Sequence, residues 1–166
     1  MKKYDVVIGI DPDVDRSGIA YVETESRMLE ATSLTFAELL DYLREAGEVL
    51  AERGKSFVVV VEAGWLNKAH WHVGRGGSAA RSAAIGNHTG RNHEVGRKIV
   101  EMCRHYGIEV VEQPPLRKMW KGRDGKITHE ELQHFTGITG KTNQETRDAA
   151  LLAWEYAGLP IKIITN

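Results

Sequence analysis

The chain has 166 residues, 42% hydrophobic and 27% charged, with a formal net charge of −1, a profile that suits one globular domain with its own core. No apolar run approaches the roughly 20 residues that span a bilayer, and the single cysteine, Cys103, excludes an intrachain disulfide and a multi-cysteine zinc site. The apolar stretch behind Met1-Lys2-Lys3 closes at Asp11, too short for a leader, so a reducing cytoplasm is the expected location.

Tyr4 to Ile10 is β-branched and almost continuously apolar, the pattern of a buried strand. Asp11-Pro12-Asp13 ends it in a turn. Ser17 to Glu23 and Met28 to Leu34 read as two further strands, joined by a turn at Glu25-Ser26-Arg27. Thr35 with Glu38 has capping-box spacing, and Leu39, Leu43, Ala46 and Leu50 keep a helical period up to Gly54. Ser56 to Val61 is a second buried strand, ending at Glu62. A loop rich in glycine, histidine and tryptophan follows from Gly64 to about Gly77, then a long helix from Ser78 or Asn92 to Tyr106. Ile108 to Val111 forms a short strand, and Pro114-Pro115 opens a basic segment reaching Lys126. A short helix from about Thr128 to Phe135 precedes a last one from Asn143 to Ala157. The order predicts one α/β domain over residues 1–166, a mixed five-stranded sheet with an antiparallel hairpin, flanked by helices.

Charge is unevenly placed. Lys68 to Lys126 holds twelve Lys and Arg against five Asp and Glu, a balance of +7, while the remainder holds ten against eighteen. A basic middle on an acidic chain is the asymmetry of a protein with one face toward a polyanion.

Asp11 and Glu62 each follow a buried strand, the place where open α/β sheets bind ligands. Should those strands be parallel neighbours, both acids meet on one rim. Glu145 and Asp148 are three apart on the last helix and share a face. Glu145 also completes a capping box with Thr142, which would turn its carboxylate to the backbone. Asp148 lies beyond the first turn among Ala149, Ala150, Leu151 and Leu152, where helix propensity disfavours an acid. Hard oxygen donors suit magnesium or manganese over zinc. Two such ions roughly 3.5–4 Å apart activate water and stabilise the leaving oxygen in phosphodiester cleavage.

These segments resemble RuvC-type Holliday junction resolvases. Ile8-Gly9-Ile10-Asp11-Pro12 with Ser17-Gly18-Ile19-Ala20 is similar to their first strand and hairpin, and Val58-Val59-Val60-Val61-Glu62 to their second acidic strand. Glu145-Thr146-Arg147-Asp148-Ala149-Ala150-Leu151-Leu152-Ala153 resembles their final Asp-x-x-Asp helix, so the match runs over nearly the whole chain. The resemblance implies an RNase H-like fold and a homodimer that cuts branched DNA at four-way junctions. It implies two magnesium ions (manganese as substitute) on Asp11, Glu62 and Asp148, with Glu145 in place of the family's first helical aspartate. Asp13 departs from the usual glycine, and Glu145 is longer than the aspartate it replaces.

Trp65, three residues after Glu62, is a candidate for stacking on a base, or a half-buried loop tryptophan. Lys118, Lys121, Arg123 and Lys126 are candidates for phosphate contact, extended by Arg75, Arg81, Arg91 and Arg97. Other patterns are weak. Asp11 to Asp15 starts like an EF-hand loop, but Arg16 and Val22 occupy its glycine and glutamate positions. His70, His72, His88 and His93 offer a zinc set, Gly74-Arg75-Gly76-Gly77 lacks a P-loop ending, and Cys103 reads as an apolar packer. Rival functions are an inactive structure-specific nucleic-acid-binding module, an RNA-directed nuclease, and a sugar-kinase-type phosphate-binding lobe, for which the chain is short.

Overall fold

The computed structural model describes residues 3–67 and 78–166. β1 (Val6–Asp11), β2 (Ser17–Glu23) and β3 (Leu29–Leu34) form an antiparallel meander. β4 (Phe57–Glu62) pairs in parallel with β1, and β5 (Val110–Gln113) in parallel with β4. The order across the sheet is β3-β2-β1-β4-β5. The helices are α1 (Phe36–Glu52), α2 (Ala79–His105), α3 (His129–Thr136) and α4 (Gln144–Tyr156). The mixed five-stranded α/β sheet expected from the sequence is therefore present. No helix among the described residues is long and apolar enough to cross a membrane.

Local chemistry sets most boundaries. Thr35 and Glu38 close the predicted capping box on α1, and Thr128 and Glu131 close another on α3. Of the two starts open for α2, the earlier one is used, with Ser78 as cap. Its first half is rich in alanine, the strongest helix former, and it continues as helix while largely exposed. Side-chain contact with the body is made at Asn92 and His93, and Gly96, Ile99, Val100 and Cys103 are buried. Cys103 lies in the apolar cluster beneath α1 and α2.

Three expectations shift. The first and fourth strands start and end later than the apolar runs suggest, so Asp11 and Glu62 are the last residues of their strands. The fifth strand begins and ends two residues later, and its later end brings Glu112 into the sheet. Asn143, not Thr142, caps α4, and Thr146 is the reciprocal partner of its box. Glu145 is thus free of the cap.

Side chains alternate across the sheet. Val6, Ile8, Ile10, Val59 and Val61 pack under α1 and α2. Val7, Val58 and Val60 pack with α4 on the opposite face. Continuing that alternation by one step puts Asp11 and Glu62 on the α4 face. Two glycines let α4 lie close against the strands. A Cβ at Gly9 would come within 2.5 Å of the Ala149 carbonyl oxygen, and one at Gly18 would overlap the Glu145 backbone.

Candidate active site

The register pairs Ile10 with Val61, so Asp11 and Glu62 end neighbouring parallel strands side by side. Asp148, one residue before the Ala149 that covers Gly9, enters from α4 above them. All three acids line one cleft of about 1180 Å³. Glu145 is half-buried at the first turn of α4, and its charge is felt at Asp11. The four predicted acids are thereby brought together on three elements.

Their electrostatics are those of crowded carboxylates. Burial among protein atoms, then the charges of Glu62 and Asp148, hold the Asp11 carboxyl well above its ordinary range. Burial and Asp148 push Glu62 up to about 7, against the opposing pull of Lys126 and Lys118. Lys126 supplies the local counter-charge, its Nζ 3.3 Å from Asp148 Oδ2. Burial acts against its ammonium, but Asp148 and Asp11 more than offset this and raise its pKa above the usual value. Among the described residues, no three acids, histidines or cysteines stand close enough to form a ready coordination shell.

Two walls flank the acids. On one side Trp65 is half-buried, its indole N–H donating to Glu112 Oε1 at 3.0 Å. The Arg97 guanidinium lies 5.5 Å from the ring centroid, and His93 meets the ring edge-on at 6.1 Å. Gly96 allows this contact, since a Cβ there would overlap the indole. Ser82, Gly86 and Gly90 continue the same wall along α2.

The other wall is the basic segment. Lys118 and Lys126 line the cleft, whereas Lys121 is exposed outside it and Arg123 is 96% exposed beside Asp124. The segment is held by hydrogen bonds from Trp120 N to the Gly125 carbonyl and from Lys121 N to the Glu131 carboxylate. Trp120 stacks on Phe135, with centroids 5.9 Å apart. Arg81 and Arg91 are exposed on α2 away from the acids, while Arg75, His70, His72 and the Gly74–Gly77 run lie outside the described residues.

Sequence reasoning missed several residues here. His93 joins the cleft wall beside Trp65. Asp13 is structural. Its Oδ1 accepts from the Asp15 and Arg16 backbones, while Asn92 of α2 bonds both Asp13 Oδ2 and the Val14 N–H. Gln144 donates to Asp148 Oδ1 at 2.7 Å. Their four-residue separation on a helix was the one available signal.

Comparison with solved structures bears on the fold. T. thermophilus RuvC in complex with a Holliday junction substrate matches at 16% identity over 92% of each chain, with a TM-score of 0.53. The chain has the RNase H-like fold of RuvC. Thermus thermophilus RuvC in a second structure matches at 18% identity over 92% of this chain and 96% of that one, with a TM-score of 0.45. The Fowlpox virus resolvase in complex with Holliday junction DNA matches at 12% identity over 92% and 97%, with a TM-score of 0.41. No family model matches the chain, and no curated protein matches it by sequence. In this RuvC-like fold the four acids sit where β1, β4 and α4 converge.

Proposed function

We propose that this protein is a RuvC-like, divalent-metal-dependent endonuclease of the cytoplasm that cleaves phosphodiester bonds in branched DNA such as four-way junctions. The observation that carries this reading is the convergence of Asp11, Glu62 and Asp148 in a cleft whose walls bear Lys118, Lys126 and Arg97. The donor set fits magnesium or manganese. It consists of hard carboxylate oxygens; burial and then their mutual repulsion raise Asp11 and Glu62, with Lys126 and Lys118 as counter-charge. Asp11, Glu62 and Asp148 would hold the ions, with Glu145 as a fourth donor, and their chemistry would be activation of water and stabilisation of the leaving oxygen.

The chain's own residues account for the rest of the site. Lys118 and Lys126 set positive charge beside the acids, where a scissile phosphate would otherwise be repelled. Arg97 and the anchored Trp65 form a flat, cationic wall suited to a nucleic-acid backbone or an exposed base. Two such clefts in a homodimer would address the paired strands of a junction. T. thermophilus RuvC and the poxvirus resolvase are both bound to Holliday junction substrates in their structures.

The test is cleavage of a labelled four-way junction with Mg²⁺. Nicking that requires the metal and is lost in Asp11→Asn supports the proposal. Nicking that persists in Asp11→Asn refutes the mechanism, and tight metal-independent binding without nicking favours the inactive module.

A further inference from the structure

Asp148 is the site acid whose carboxylate is gripped on both oxygens. Gln144 Nε2 donates to Oδ1 at 2.7 Å, and Lys126 Nζ lies 3.3 Å from Oδ2. These two groups come from different segments, yet both are tied to one point, the backbone of buried Ile127. Arg147 Nε donates to the Ile127 carbonyl at 3.1 Å, and Gln144 Nε2 approaches the same oxygen at 3.4 Å. Arg147 also donates to Gln144 Oε1 at 3.1 Å and to the Thr142 carbonyl and hydroxyl, both at 3.2 Å. The Gln144 amide is therefore fixed in one sense, oxygen toward Arg147 and nitrogen toward Asp148. Arg147 has the planar fork to serve these four acceptors on three residues at once, which a lysine lacks.

We propose that Gln144, held by Arg147, is a positioning residue that fixes the Asp148 carboxylate and couples it to the Lys126 segment. This rests on the nuclease reading of the site for its catalytic consequence. A ligand carboxylate held by an outer amide keeps one rotamer, and loss of such a partner costs about 10–100-fold in metal affinity or activity. Arg147 and Gln144 also join the first turn of α4 to the segment that carries Lys118 and Lys126, so the floor and the basic wall keep a fixed relation.

The test compares Gln144→Ala and Gln144→Met, the latter close in size but without the amide. Calorimetric titration with Mn²⁺ and steady-state junction cleavage are measured beside thermal melting. Both variants are expected to lose about tenfold in Mn²⁺ affinity and in kcat, with KM for the junction within about twofold and melting close to wild type. In an Asp148→Asn background, Gln144→Met should weaken Mn²⁺ binding no further, because its effect passes through that carboxylate. Wild-type affinity and kcat in Gln144→Met would overturn the proposal, as would an equal loss in the Asp148→Asn background. Should the wild-type protein neither bind Mn²⁺ nor cut DNA, the nuclease reading fails separately. The contact is then judged by NMR of the Gln144 side-chain amide, assigned by its loss in Gln144→Met. Movement of that signal in Asp148→Asn, as a charge-assisted bond becomes a neutral one, supports the positioning role, and an unmoved signal overturns it.

Discussion

Asp11 and Glu62 stand on central strands and Asp148 on the helix packed over them, whereas Lys118, Lys121 and most of the first half of α2 present their side chains to solvent. The acids are fixed by strand pairing and by an α4 backbone that rests directly on Gly9 and Gly18. They are poorly solvated, and each charge changes its neighbours. Lys118, Lys121 and the outer arginines are exposed, so their effects are smaller and screened by salt. The contrast divides the labour: the floor does chemistry and demands close placement, and the walls gather a polyanion and tolerate change.

The largest expected effect tests the floor. Asp11→Asn or Glu62→Gln should lower single-turnover cleavage roughly a thousandfold, since metal stabilisation of the transition state is worth several kcal/mol. Junction affinity in a gel-shift titration should stay at wild-type level or rise, because a negative charge is removed. Equal losses in binding and cleavage would dissolve the distinction.

Packing under the acids comes next. Gly18→Ala forces a Cβ into the Glu145 backbone, and overpacking against main chain costs about 3 kcal/mol. For a chain of this size that is a fall of roughly 6–12 °C in Tm. The same substitution at Gly86, where a Cβ meets nothing within 4 Å, should leave Tm unchanged or raise it slightly.

The pH dependence of the metal-free protein sharpens the contrast further. Glu62 is raised from 4.5 to about 7 and Asp11 is raised as well. The folded state therefore holds these protons more tightly than the unfolded chain. For Glu62 the stabilising contribution is complete below its unfolded value of 4.5 and is lost as pH rises through about 7, and Asp11 acts in the same direction. Melting in EDTA should accordingly give a Tm that falls between pH 5 and pH 8, and Glu62→Gln should flatten that slope. An unchanged slope would show that the floor is better solvated than the structure indicates.

The smallest effects belong to the walls. Lys118→Ala should weaken junction binding and reduce the slope of log K against log salt by about 1. Lys121→Ala and Arg123→Ala, outside the cleft, should change affinity less than about twofold. Equal effects at all three positions would extend the nucleic-acid path beyond the cleft.

The floor was largely legible from sequence because buried runs and period-two alternation are local signals. Val58 to Val61 could hardly be other than a central strand, and the acid behind it had no turn to explain it. Which acids share a face depended on pairing and register, which no local pattern contains. The cap of α4 is misplaced by sequence because Thr142 and Asn143 are both cap formers with a suitable partner three residues on. Asparagine is the stronger of the two, and it took the position. The roles of Asp13 and Arg147 were hidden for another reason. Their partners, Asn92 and Ile127, lie 79 and 20 residues away, in a helix and an aperiodic segment that meet them only after folding.

The central claim is that Asp11, Glu62 and Asp148 together hold the ions that cut DNA. A crystal of the protein with a junction arm, soaked in Mn²⁺ and measured for anomalous scattering, tests it most directly. Manganese peaks are predicted among the carboxylates of Asp11, Glu62 and Asp148, with Glu145 turned toward them. Peaks elsewhere, or none at saturating Mn²⁺ with Lys126 still paired to Asp148, would contradict it.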